Sequence, residues 1–191
     1  MTDAETSWAR PQGARVTRAV ISGSFPLRIH SMAAFRTRIT DLLDAQGIQY
    51  RLLPHNELVF TIATAARQRG VVEEEMVKSI LLCDKAGRYV MACVPGNARV
   101  DPRAVRANLP GEWGRLHFAN AQEILAVTGC VQGAVSPLGL PEDVPVLFDE
   151  ALVGSGRVNI STGDPMAGLE LAPKDLIRVA SARVAQISER D

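Results

Sequence analysis

Lys78 heads an apolar run, Val77 to Cys83, in which strand alternation sends Lys78, Ile80 and Leu82 to one face and Ser79, Leu81 and Cys83 to the other. An ammonium at the head of an apolar face is partly stripped of water, so its charge is available to a phosphate or a polarised carbonyl oxygen. The plainer alternative is a strand-end lysine that snorkels to solvent. A second segment, Thr128 to Gly139, reads T-G-C-V-Q-G-A-V-S-P-L-G. Its glycines permit close backbone approach and Pro137 stiffens the exit. A loop of this kind can present main-chain N–H groups to a small substrate or an oxyanion. An ordinary strand-to-turn junction has the same composition.

Other chemistry is missing from the chain. It contains no G-x-G-x-x-G, no G-x-x-x-x-G-K-[ST], no H-E-x-x-H and no G-x-S-x-G. His30, His55 and His117 are scattered without metal-ligand spacing. Cys83, Cys93 and Cys130 are odd in number and form no C-x-x-C pair, which fits free thiols in a reducing cytoplasm. No metal and no cofactor are expected. His55, just after a strand, is either a substrate contact or a structural histidine. Arg99, Arg103 and Arg106 surround one short helix and either hold RNA phosphates or form a solvent face. Glu73 to Glu75 is most simply a solvated turn.

The elements that must position these residues follow from local signals. Ser31 is placed to cap a helix with apolar positions Phe35, Ile39, Leu42 and Leu43 and a stop at Gly47. A strand is expected over Tyr50 to Leu53, then a helix from the Thr61 cap to Gly70. Met76 to Cys83 and Arg88 to Val94 read as a hairpin around Asp84-Lys85-Ala86-Gly87. Asp101-Pro102 starts a third helix. Asn120 with Glu123 starts a fourth as a capping box, and Gly129 ends it. Short strands are expected at 131–135, 144–148, 157–160 and 169–171, then a helical turn at 174–177 and a strand at 183–187. Early helices and late strands favour an α+β fold over a doubly wound parallel one. The expectation is a single domain over residues 31–191, with a mixed or antiparallel β-sheet or partly closed barrel and helices packed around it. Residues 1–30, rich in Arg, Ser, Gly and Pro without a sustained period, read as a disordered tail, and Met32 is an alternative start.

Bulk composition sets further bounds. The 191 residues are 47% hydrophobic but only 5% aromatic, enough for a core built mainly from Val, Leu, Ile and Ala. No apolar run is long enough for a transmembrane helix, and no secretory signal opens the chain, so a cytoplasmic protein with no membrane partner is expected. The formal net charge of zero argues against coating nucleic acid by bulk charge, but not against gripping one RNA end.

Four pieces stand in order: Val77-Lys78-Ser79; Val94-Pro95-Gly96-Asn97; Thr128-Gly129-Cys130 running into Gly133-Ala134-Val135-Ser136-Pro137-Leu138-Gly139; and Val158-Asn159-Ile160-Ser161-Thr162-Gly163 followed by Gly168-Leu169-Glu170-Leu171. In these, residues 32–188 resemble the YbaK/ProX-like aminoacyl-tRNA deacylases, relatives of the editing domain of bacterial prolyl-tRNA synthetases. The resemblance implies a metal-independent trans-editing hydrolase that deacylates tRNA mischarged with a small amino acid, cysteine or alanine on the proline tRNA. It implies that Lys78 holds the terminal phosphate or ester region. It also implies that the G-x-x-x-P element at Gly133 and Pro137 positions the aminoacyl ester, and that Ser136 and Ser161 line the pocket. The acceptor end of aminoacyl-tRNA is the implied partner, with an aminoacyl-tRNA synthetase as a second one. Cys130 departs from the aromatic residue common at that position, and Val158 to Gly168 is longer than in compact members. The rival reading is a non-catalytic module that binds an aminoacyl or nucleotide end; an unrelated small-molecule hydrolase is the third.

Overall fold

The computed structural model describes residues 35–189, so the expectations for residues 1–30, for Met32 and for a cap at Ser31 lie outside the described residues. The first helix, α1 (Arg38–Ala45), is capped by Thr37 rather than Ser31. Thr37 is extended, with φ −129°, and forms a reciprocal capping box with Thr40. The other caps are those expected. Thr61 opens α2 (Ile62–Arg69), and Gly70 closes it in the left-handed region at φ 67°. Ahead of α2 lies β1 (Tyr50–Pro54). A 3-10 turn at Glu73–Glu75 leads into β2 (Val77–Cys83), which pairs antiparallel with β3 (Tyr89–Pro95), Lys78 opposite Val94.

Asp101 caps α3 (Pro102–Ala107). A two-residue strand, β4 (His117–Phe118), was not anticipated. The Asn120–Glu123 capping box opens α4 (Ala121–Thr128). Then come β5 (Val146–Asp149), a 3-10 turn at Glu150–Leu152, β6 (Val158–Ser161), β7 (Ala167–Leu171), α5 (Pro173–Val179) and β8 (Arg183–Ala185). The strand expected at 131–135 is instead a turn. Gly133 adopts φ 91°, and Ala134 N–H returns to the Val131 carbonyl at 3.0 Å, which ends any extended run.

Two sheets result. One is antiparallel, in the order β1-β7-β6; the other is mixed, β4-β2-β3-β5-β8, with β3–β5 and β5–β8 parallel. The crossover from β3 to its parallel neighbour β5 runs through α3 and α4, the length such a connection needs. A single parallel bridge, Met76 to Asn159, links the sheets, so they stay open rather than closing into a barrel. The fold is therefore α+β, as expected. Alternation along β2 feeds two cores. Val77, Leu81 and Cys83 join Ile39, Leu43, Phe148, Ile160 and Leu169 in the main core. Ile80 and Leu82 pack on the opposite face, against Val105, Leu109 and Leu116. Each such fully buried side chain contributes about 1.5–3 kcal/mol. A third, small cluster of Val59, Ala65, Ala66 and Met76 seats α2 beside the start of β2. No helix among the described residues is long and apolar enough to cross a membrane.

Candidate active site

Where α2, the start of β2 and the end of β6 converge, they leave a cleft of about 270 Å³, walled in part by His55, Phe60, Arg69, Lys78, Gly133 and Ser161. Backbone bonds lace its rim. The N–H of His55 donates to the Met166 carbonyl at 2.7 Å and that of Val59 to the Pro165 carbonyl at 3.1 Å. Loops separated by more than a hundred residues are thereby held as one wall.

Lys78 is half-buried. Its Nζ donates to the Ala98 carbonyl at 2.7 Å, which leaves two N–H bonds for another acceptor. Burial pushes its pKa down, Glu73 opposes that shift and Arg99 adds to it. Among the described residues it is thus neither fully solvated nor ion-paired.

Gly133 is required by its surroundings. Besides φ 91°, a Cβ there would lie 2.8 Å from the Phe60 carbonyl oxygen. The loop therefore rests backbone against backbone on the Phe60 turn. Among the described residues, the N–H of Gly133 has no hydrogen-bond acceptor. Ser161 lines the cleft, but its hydroxyl donates to the Ala134 carbonyl at 2.8 Å and accepts from Gly163 N–H at 3.1 Å. It staples β6 to the Gly133 loop.

His55 is buried, with both ring nitrogens occupied. Nδ1 meets the Pro165 carbonyl at 2.8 Å, and Nε2 accepts from Nε of Arg69 at 3.0 Å. Those partners assign the proton to Nδ1. Burial lowers the His55 pKa, and the Arg69 charge lowers it further.

Sequence reasoning missed Arg69. Its guanidinium also donates to the Ile160 carbonyl at 3.1 Å and rests over Gly168, where a Cβ would collide with it. It forms no ion pair among the described residues, and burial lowers its pKa to about 10. The available signal was helical spacing, since Arg69 lies three and four positions beyond the buried Ala66 and Ala65. The cleft therefore carries two cations, Lys78 and Arg69, against one lining carboxylate, Asp164.

The remaining expected residues lie elsewhere. Ser136 is buried, off the cleft wall, where its Oγ accepts from Leu138 N–H at 3.4 Å. Pro137 lines a different depression beside Leu42 and Val146. Arg103 and Arg106 line a separate groove, and exposed Arg99 lines neither that groove nor the cleft. Among the described residues, no three His, Cys, Asp or Glu side chains converge as metal ligands.

The open α+β sheet pair thus holds a carboxylate-poor cleft with two cations on its wall. The chain belongs to the aminoacyl-tRNA editing domain family, whose profile matches residues 56–179. It is 20% identical to a candidate Cys-tRNA(Pro)/Cys-tRNA(Cys) deacylase, EbsC, of Enterococcus faecalis, over 75% of this chain and 91% of that one. It is 33% identical to the proline–tRNA ligase of Trichlorobacter lovleyi over 92 residues, 48% of this chain but 16% of the ligase. Among solved structures, hypothetical protein APE2540 shares 29% identity and a TM-score of 0.74, over 80% of this chain and 100% of that one. A candidate trans-editing enzyme for prolyl tRNA synthetase shares 28% identity and a TM-score of 0.68, over 80% of this chain and 96% of that one.

Proposed function

We propose that the protein is a trans-editing hydrolase that cleaves the ester of tRNA mischarged with a small amino acid, cysteine or alanine on the proline tRNA. The observation that carries this reading is that Lys78 and Gly133 share one small cleft. The cleft, of about 270 Å³, has room for a small aminoacyl group. The terminal adenosine then rests at the mouth, where Phe60 is 49% exposed.

In the reaction, a water oxygen adds to the ester carbonyl. The carbon–oxygen bond to the ribose breaks, and the ribose hydroxyl leaves with a proton. Lys78 holds terminal phosphate or carbonyl oxygen, and the unengaged N–H of Gly133 can donate to the oxyanion as it forms. No side-chain hydroxyl on the wall is hydrogen-bonded to a base that would activate it; Ser79 Oγ is buried with no such partner among the described residues. Ser161 is committed to Ala134, and Thr61 Oγ1 to the α2 cap and Thr64. Buried Cys83, Cys93 and Cys130 are not on the wall. In this reading water, or a group of the substrate itself, is the attacking nucleophile and no metal takes part.

The test is a deacylation assay on purified protein against proline tRNA charged with cysteine, alanine or proline, with and without chelator. Faster hydrolysis of the two mischarged forms, unchanged by chelator, is expected. Chelator-abolished activity restored by zinc would overturn metal independence. Saturable binding without turnover on every substrate would replace the hydrolase by a binding module.

A further inference from the structure

A second concavity of about 790 Å³ opens between α3 and the β4 edge of the mixed sheet, lined by Lys85, Arg103, Arg106, Arg115, His117 and Phe118. These residues come from the β2–β3 hairpin, α3, the loop after it and β4. Elsewhere Arg36, Arg51, Arg88, Arg157 and Arg178 each pair with a carboxylate. Lys85, Arg103, Arg106 and Arg115 do not, among the described residues. The single carboxylate on this wall, Asp101, is already engaged, accepting the Arg103 backbone N–H at 2.8 Å as the α3 cap. Four such cations thus share one wall, in a chain of formal net charge zero. Phe118, 60% exposed, is the aromatic among them.

We propose that this groove binds the phosphate backbone of RNA, with Phe118 as a stacking surface for an unpaired base, while the 3′ end occupies the Lys78 cleft. The inference rests on the hydrolase reading for the second half of that statement only. Unpaired cations with an interleaved aromatic match the two needs of single-stranded RNA, phosphate neutralisation and a π-face. An acidic peptide would use the charges and leave Phe118 without a role. The spacing also fits. Phe118 pairs with Leu82, four residues along β2 from Lys78, or roughly 13 Å at ~3.3 Å per residue. That is well under the ~34 Å of one duplex turn, a span short enough for one RNA end to bridge.

The experiment measures binding of a fluorescent, uncharged RNA hairpin ending in single-stranded CCA, across a salt series, to the full chain. Arg103→Glu/Arg115→Glu should weaken binding at least about tenfold and lower the slope of log affinity against log salt by about 1–2. Arg103→Gln/Arg115→Gln is the milder version if the reversal perturbs folding. Phe118→Ala should weaken the CCA hairpin severalfold and a blunt hairpin less. With mischarged tRNA, the same variants should raise KM at unchanged kcat and leave hydrolysis of an aminoacyl-adenosine ester as in the wild type. Hairpin affinity within twofold of wild type in both arginine variants would overturn the groove, whatever the turnover. So would a polyglutamate peptide that binds as tightly as the hairpin and is lost in the same variants. Failure to deacylate any tRNA would instead sink the hydrolase reading, and the hairpin comparison would still decide the groove.

Discussion

Nε of Arg69 donates to Nε2 of His55 at 3.0 Å, and His55 turns its other nitrogen onto the Pro165 carbonyl at 2.8 Å. With the Arg69 bond to the Ile160 carbonyl, these contacts tie α2, the loop after β1, the end of β6 and the loop before β7 around one cleft. Among the described residues the cation has no ion-paired carboxylate, and it donates to a neutral imidazole and a carbonyl. A site that leaves a buried positive charge uncompensated is suited to an incoming oxygen-rich ligand.

This pair makes stability depend on pH in a defined direction. The folded pKa of His55 lies below its unfolded value of 6.5, because burial, helped by the Arg69 charge, outweighs the opposing Pro165 hydrogen bond. As pH falls below about 6.5 the unfolded chain takes up a proton that the folded chain resists, so the contribution is complete above that pH and is lost toward the folded value. Urea unfolding between pH 7.5 and 5 should show stability falling with acidity, and His55→Gln should flatten that slope. An unchanged slope in the variant would reject the assignment.

Lys78→Ala should lower kcat/KM by about tenfold to a hundredfold, the worth of a charge-assisted hydrogen bond of ~1.5–3 kcal/mol. Folding stability should drop by no more than ~1 kcal/mol, since only the partly exposed Ala98 carbonyl loses a donor. Lys78→Arg should not restore full activity, because a planar fork does not replace a compact ammonium. Lys174→Ala, on exposed α5 surface, is the control. Wild-type turnover by Lys78→Ala on its best substrate would refute the site.

Gly133→Ala places a methyl against the Phe60 carbonyl at a φ that L side chains rarely adopt. A loss of about 2 kcal/mol is expected, or roughly 4–8 °C in Tm, with a fall in kcat larger than the remaining folded fraction explains. Gly154→Ala, which meets no atom within 4 Å, should be silent in both measurements. Equal behaviour of the two variants would show that the backbone contact does not shape the cleft.

Asp84 sets the acid limit of the hairpin. Its carboxylate accepts from Ala86, Arg88 and Gly114 backbone N–H groups and from the Arg88 guanidinium, which itself lies 4.4 Å from the Trp113 ring centre. These bonds, the Arg88 side chain first, hold its pKa at about 2. The contribution is therefore present above about pH 4 and is lost as pH falls through 2. Asp84→Asn should be less stable than wild type at pH 7, with the difference shrinking below pH 3. A constant difference down to pH 2 would show that the carboxylate charge is not what matters.

Much of this architecture was written in short-range signals. Thr61 with Gly70, Asp101 with Pro102, and Asn120 with Glu123 and Gly129 bounded their helices because a cap is decided by residues within about one turn. The β2–β3 hairpin and the two faces of β2 followed from a turn and a period of two, and Lys78 and Gly133, singled out together by the family resemblance, line the same cleft. The first helix showed the limit of the same logic: both Ser31 and Thr37 are capable caps, and the second forms the box.

What local pattern could not supply was convergence. Val131 to Val135 has a strand's composition, yet Gly133 lies against Phe60, seventy-three positions earlier, and the segment turns. Ser136 and Pro137 share the motif of Gly133 but point their contacts elsewhere once that turn is made. The meeting of Arg69 with Ile160 spans ninety-one positions. The basic groove draws on four segments joined by the pairing of β4 with β2, the packing of α3 on the sheet and the Gly114 N–H on Asp84. Caps, turns and alternation are energies of neighbouring residues and can be read along the chain. A cleft and its charges are set by the register of strands distant in sequence, which the burial of both faces of β2 selects only when the whole domain folds.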